Sequence, residues 1–342
     1  MKYNYYQMKN ISKHPLILDC DTGEDDAIAI VLAIMCGLPL KYIITCHGNT
    51  TLENATRNTS RIVSLLKAKG IKIIVGADKP TKPHKWEPTG FTAGSDFLGQ
   101  NGICNVKLHP SKYNHILNFR GNKFIEKIAE EIKKEKKVDY IITGPCTNFA
   151  LLCDHLGKEI KKYINSLYIM GGAIYVKGAR GSGVKNTSHA KGSGVPDTWA
   201  EFNFYCDPYA VKKVLSFGFN PVVVTWDQCI NFELPFEFIK KMRSDKPGGK
   251  FIVELMYAFM KLYGIKNKTK FELCDPLTIM AYLNYGGLRN EKINIITAKK
   301  YFGKSYPDKN GHAIRYFFVN NKKEISAIIS DMLNRLKITT LS

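Results

Sequence analysis

Five acidic residues fall within eight positions in the segment Asp19-Cys20-Asp21-Thr22-Gly23-Glu24-Asp25-Asp26. So many carboxylates cannot all ionise side by side without raising one another's pKa, and a divalent cation removes that conflict. Carboxylate oxygens are hard ligands, which select Ca²⁺ or Mg²⁺ over zinc. Gly23 lets the backbone turn tightly between the two halves of the cluster. The plainer alternative is that Asp25 and Asp26 favour a helix N-terminus while Asp21 caps it. A cap needs one such residue, and five are present.

Other polar groups recur where apolar runs end. His47-Gly48-Asn49-Thr50 follows one run, Thr143-Gly144-Pro145-Cys146-Thr147-Asn148 a second, and Met170-Gly171-Gly172 a third. Further on, Glu201-Phe202-Asn203 sets a carboxylate and a carboxamide two apart, on one face if the segment is extended. Cys274-Asp275-Pro276 opens an apolar helical run, with Asp275 read as the N-cap and Pro276 as the first helical residue. Singly, each has an ordinary structural reading. Their joint placement at the carboxyl ends of a sheet argues for one site.

The elements that must position these residues alternate along the chain. Strand-like runs cover residues 16–21, 40–46, 71–76, 138–143, 167–170 and 221–225, with helical patterns at 25–36, 52–69, 123–136, 148–156 and 208–217. Runs such as Tyr140-Ile141-Ile142 and Val222-Val223-Val224 are apolar on both faces, as a helix-covered parallel sheet requires. The expectation is an α/β fold with a mainly parallel central sheet flanked by helices. Ligands bind outside the carboxyl ends of such strands. The last third reads as helices at 235–242, 251–263 and 276–284, strands at 293–301 and 313–319, and a closing helix at 323–336. Two stretches, 79–101 and 177–198, are rich in Gly with Pro or Lys and lack apolar periodicity; long loops of this kind are often functional. No repeat or linker divides the chain, so residues 1–342 are read as one domain, with 1–14 as an N-terminal extension.

With 342 residues, 44% of them hydrophobic, the chain can bury a large core without staples. Nine cysteines lie scattered and form no zinc-type spacing, which reads as reduced, mostly buried thiols in a cytoplasmic protein. No signal-peptide core precedes residue 15, and no stretch approaches the ~20 apolar residues of a membrane span. The net charge of +20 raises a nucleic-acid partner, but the lysines are spread along helix faces as a solvated surface is. Nucleic acid is therefore not the expected partner. Dinucleotide binding is disfavoured too, because the first strand leads into acids instead of a glycine-rich turn.

At these residues the sequence resembles the nucleoside hydrolase family of inosine-uridine preferring type, whose signature after the first strand is of DxDxGxDD form. The likeness also covers Gly48-Asn49, Thr143-Gly144-Pro145, Thr147-Asn148, Met170-Gly171-Gly172, Glu201-Phe202-Asn203 with Asp207-Pro208, and Asp275-Pro276, in order. It implies a Rossmann-like core and hydrolysis of ribonucleosides to free base and ribose in purine and pyrimidine salvage. It implies Ca²⁺ held by Asp21, Asp26, the Thr143 carbonyl and Asp275, with Asp21 as general base. Asp25, Asn49, Glu201, Asn203 and Asp275 would hold the ribose hydroxyls, near the Met170 backbone, with Asn186 the asparagine of the 177–198 insert. A homodimer or homotetramer is the implied assembly.

Thr22 stands where proline is usual in that signature, and Cys274 stands where many members place a histidine that helps the leaving base, as in one subgroup. The loop 92–99 also lacks the histidine found there in many members. Cys274 and His189 are the leaving-group candidates, against the plain readings of a buried thiol and a surface-loop imidazole. Trp86, Phe91 and Phe97 are candidates for an aromatic lid, and Phe259 with Tyr263, one turn apart, for the base pocket or the core.

Two other readings fit parts of the pattern. Leu16-Ile17-Leu18-Asp19-Cys20-Asp21-Thr22 suits a haloacid-dehalogenase-type phosphatase with Asp19 as nucleophile, Asp21 as acid/base and Mg²⁺ beside them. That reading leaves Glu201, Asn203 and the Asp25-Asp26 pair without roles. A non-enzymatic basic binding protein on a hydrolase scaffold suits the charge but not the carboxylate set.

Overall fold

The computed structural model describes residues 12–82, 98–111, 116–119, 121–176, 200–264, 270–298 and 301–341. Side chains of β1 (Leu16–Cys20) alternate between two cores, Leu16 and Leu18 joining one and Ile17 the other. Both faces of the strand are thus buried, as the uninterrupted apolar run requires. Nine further strands complete the main sheet: β2 (Leu40–Thr45), β3 (Lys72–Val75), β4 (Ile116–Leu117), β5 (Val138–Ile142), β6 (Ile164–Met170), β7 (Val222–Val224), β8 (Gly287–Ile295), β9 (Ser305–Pro307) and β10 (His312–Phe318). Their order is β9-β8-β10-β7-β6-β5-β1-β2-β3-β4. Every pairing from β10 to β4 is parallel, and β8 runs antiparallel to both β10 and β9.

One face carries α1 (Glu24–Met35), α2 (Leu52–Leu65), α6 (Pro247–Phe259), α7 (Cys274–Tyr282) and α8 (Lys322–Arg335). The other carries α3 (Lys123–Glu135), α4 (Thr147–Leu156) and α5 (Pro208–Ser216). From Ala27 to Ala33, α1 is fully buried, so it reads as apolar all round rather than as one stripe. The chain first builds outward from β1 through β2 and β3 to β4, then returns to place β5 on β1's other side. That reversal opens a crevice beyond the ends of β1 and β5, where open parallel sheets bind ligands.

The parallel α/β class is as expected, and several boundaries differ for local reasons. The strand expected at 293–301 is β8, which starts at Gly287 because Gly287 to Ile293 pair with β10. The helix expected at 251–263 begins at Pro247 and passes into a π turn at Met260–Gly264. Gly248 sits where a Cβ would stand 2.8 Å from Leu66 and 3.0 Å from Val31, so its missing side chain lets the first turn of the helix pack close on those residues. The helix expected at 235–242 is only Phe236–Ile239. The segment Glu201-Phe202-Asn203 does not run on as a strand: Glu201, itself extended, is the N-cap of a short helix, Phe202–Cys206. Likewise Asp275 is not an N-cap; Leu273 is, and α7 already begins at Cys274.

Candidate active site

The acidic segment leaves β1 at Cys20 and turns at Gly23, the N-cap of α1. Asp26 reaches back so that its Oδ2 accepts from the Gly23 amide at 3.0 Å. Its Oδ1 accepts from the Thr143 hydroxyl, beyond the end of β5, at 2.7 Å. One carboxylate thereby joins the two strand ends that border the crevice.

Asp21, also fully buried, accepts the backbone N–H of Asn49 on Oδ2. The Asn49 carboxamide lies 3.5 Å from both Asp21 Oδ1 and Asp26 Oδ2. Burial first, and then the charge of Asp26, push the Asp21 carboxyl well above the usual carboxylate range. Asp25 and Asp275, the latter from the first turn of α7, complete the cluster. Ligand oxygens of Asp25, Asp26 and Asp275 all lie within 4.8 Å of one another. Burial and then Asp26 raise Asp25 to about 7, and burial followed by Asp25, Asp26 and Asp21 raise Asp275 strongly.

Glu201 and Asn203 approach from the far side. As N-cap, the Glu201 carboxylate accepts from the amides of Asn203 (2.8 Å) and Phe204 (3.1 Å), and also from Gly172 (2.8 Å) after β6. Asn203 Nδ2 donates to the Thr143 carbonyl at 2.8 Å and to the Met170 carbonyl at 3.3 Å. The expected residues Asp21, Asp25, Asp26, Asn49, Thr143, Met170, Glu201, Asn203 and Asp275 are thus linked in one network. Burial leaves the Glu201 carboxyl raised in spite of its amide donors.

Cys274 is buried beside Asp275 and hydrogen-bonds Cys229; that bond, then burial, raises its thiol well above the usual range. Phe259 belongs to the core, its ring edge-on to Phe271 with centroids 4.9 Å apart. His47 is buried with Nε2 3.0 Å from the Thr147 hydroxyl, and burial lowers its pKa to about 3. Asn186, His189, Trp86, Phe91 and Phe97 lie outside the described residues.

Asp19 has a different place from its neighbours. Tyr140 Oη and Asn148 Nδ2 each donate to it at 2.8 Å, and it is fully buried with the α3–α4 side of the sheet. A nucleophile must reach its substrate, and this carboxylate is enclosed by its own partners. The phosphatase reading therefore loses its central residue.

Asp227, just after β7, escaped the sequence reading although it too follows an apolar strand run. Its carboxylate holds backbone amides of the loop after β6. The strand-end rule that found Thr143 and Met170 would have found it.

Fold and site together define an α/β enzyme with an acidic centre at the crevice beyond β1 and β5. Residues 16–332 match the family model of inosine-uridine preferring nucleoside hydrolases. The pyrimidine-specific ribonucleoside hydrolase RihA of Shewanella sp. (strain MR-7) is 32% identical over 277 residues, 79% of this chain and 78% of that protein. RihA of Escherichia coli O6:H1 is 31% identical over 271 residues, 78% of each. Among solved structures, a purine-preferring ribonucleoside hydrolase from Gardnerella vaginalis superposes with a TM-score of 0.76 at 22% identity, covering 94% of this chain and 99% of that one. A plant nucleoside hydrolase gives 0.75 at 17% identity, over 95% and 99%. The chain belongs to the inosine-uridine preferring nucleoside hydrolase family and is an N-ribosyl hydrolase.

Proposed function

We propose that the protein hydrolyses the N-glycosidic bond of ribonucleosides in a calcium-dependent reaction serving nucleoside salvage. The observation that carries this reading is the convergence of Asp25, Asp26 and Asp275 within 4.8 Å, with Asp21 against Asp26. The partners described for these acids are amides, a hydroxyl and one another, so the cluster lacks a compensating charge of its own. Converging buried acids without a cation are costly, and an all-oxygen donor set suits Ca²⁺.

Asp21, Asp26, Asp275 and the Thr143 carbonyl are the residues that would hold the ion. When bound, it would neutralise the acids, orient a water and make that water more acidic. Asp21 then accepts a proton from the attacking water. Asp25, Asn49, Glu201, Asn203 and Asp275 hold the ribose hydroxyls beside the Met170 backbone, with Asn186 added from the insert. Their negative charge favours the oxocarbenium-like state through which a ribosyl C–N bond breaks. The departing base is aided by Cys274 or His189.

The RihA relatives bear a pyrimidine-specific name, which places uridine and cytidine first on a substrate panel. None of the described helices is long and apolar enough to cross a membrane. A cytoplasmic homodimer or homotetramer is part of the proposal. It is tested by base release from a panel of ribonucleosides and their 2′-deoxy counterparts. Sites built to bind hydroxyls discriminate against analogues lacking them by ~10⁴. Equal rates on uridine and deoxyuridine, or on inosine and deoxyinosine, would remove the ribose assignments.

A further inference from the structure

Asp227 has no part in the chemistry above, yet its carboxylate takes three consecutive backbone amides. Oδ2 accepts from Ile174 at 2.8 Å, and Oδ1 accepts from Tyr175 at 2.6 Å and Val176 at 2.7 Å. Backbone amides of a loop more often point to water, and a loop fixed this way is held for a reason. The rest of the loop is also anchored. Gly171 donates to the Val224 carbonyl at 3.0 Å, and the Gly172 carbonyl accepts from Trp226 at 2.8 Å. Ala173 donates to the Ser305 hydroxyl at 2.9 Å.

The one remaining amide of this loop, that of Gly172, donates to Glu201 Oε2. Gly172 has φ +81°, and a Cβ there would meet the Phe204 ring at 2.9 Å, so the turn is specific to this approach. One of the three N–H groups that hold Glu201, and the only one of those three outside its own helix, therefore sits on a six-residue loop, 171–176, whose second half is fixed by Asp227. Charge-assisted bonds from a buried carboxylate are the strong kind, and here three act together.

We infer that Asp227 is a positioning residue for ribose recognition: by fixing the Ile174, Tyr175 and Val176 amides it sets the Gly172 N–H, and through it the Glu201 carboxylate. This rests on the role of Glu201 proposed above. A residue that only stabilises the loop changes how much enzyme is folded, which scales all substrates alike. A residue acting through Glu201 changes the preference between a ribonucleoside and its deoxy analogues.

The test uses the full chain with calcium present. kcat/KM is measured for wild type, Asp227→Asn, Asp227→Ser, Glu201→Gln and the Asp227→Asn/Glu201→Gln double variant. The substrates are the ribonucleoside that wild type cleaves best and its 2′-deoxy and 3′-deoxy forms. The expected result is a ribo/deoxy ratio at least ~10-fold lower in each Asp227 variant, with a loss in the double variant well short of the product of the single losses. An unchanged ratio, or losses that multiply, overturns the assignment. Ser305→Ala, which frees only Ala173 in the same loop, gives a second reading if the Asp227 variants do not fold: its ratio should fall too, and an unchanged one contradicts the loop's role. If wild type releases no base from any ribonucleoside, the proposed function fails first and this inference with it. An active wild type with unchanged ratios sinks the Asp227 assignment alone.

Discussion

Gly48 packs so closely on Asp21 that a Cβ at this position would stand 1.9 Å from Asp21 Oδ2. Its φ of +150° is a second reason for glycine, since L side chains rarely adopt it. The carboxylate proposed as base and ligand is thus seated against a bare backbone. Gly48→Ala should displace it and cost about 10²-fold in kcat/KM, the scale of an ångström-sized misplacement in an active site. Steady-state kinetics with a melting curve checks this; near wild-type turnover would show that Asp21 is not position-critical.

Asp21→Asn keeps size and shape but cannot accept a proton from water. Turnover should fall by at least the ~10²–10⁴ typical of a lost general base, while circular dichroism stays native. A variant that remains close to wild-type activity would assign the base elsewhere.

Cys274 should support the site without being the essential acid. Its bond to Cys229, together with burial, holds the thiol well above its usual range, so it stays neutral, and a neutral thiol is a weak donor. Cys274→Ser should lower kcat by no more than ~10-fold, about 1.4 kcal/mol of barrier. The comparison is between the best nucleoside and p-nitrophenyl riboside, whose leaving group needs no proton. A loss of ~10³ confined to the nucleoside would make Cys274 the acid; a loss of that size in His189→Ala instead would identify the imidazole.

The site was legible where side-chain types carry it. Asp21, Asp25 and Asp26 stand out by spacing, Asn49 and Thr143 by following apolar runs, and Asp275 by standing with Pro276 at the start of one. Strand ends point into one crevice, so those marks are geometric. What stayed hidden has a physical reason in each case. Spacing does not tell Asp19 from Asp21, yet Tyr140 and Asn148 enclose the former. The helix at Phe202–Cys206 is too short to show a period, so Phe202 and Asn203 looked extended. Asp227 follows an apolar run and was open to the same rule; what stays hidden is its task, since it holds backbone amides, which no side-chain pattern reports. The fold class survived these gaps because runs apolar on both faces specify a covered parallel sheet.

In the metal-free protein, stability should fall as pH rises. Folding raises Asp19 and Asp25 from 3.8 to about 7 and Glu272 from 4.5 to about 8, each mainly through burial. Between the unfolded and folded pKa values the native state binds more protons, so unfolding free energy drops with pH. The stabilisation is complete below about pH 4 and lost through pH 7 to 8. Melting temperatures in chelator should decline over that window, and added Ca²⁺ should restore them above pH 7. A rise through the same window without metal would contradict the burial argument.

Calcium-dependent ribonucleoside hydrolysis is tested by base release with calcium removed and returned. Full-length protein is stripped with chelator, then assayed on uridine, cytidine, inosine and adenosine before and after stoichiometric Ca²⁺. The stripped protein should release negligible base and recover with calcium, on at least one ribonucleoside. Full activity in the stripped protein, with metal analysis confirming its removal, would contradict it.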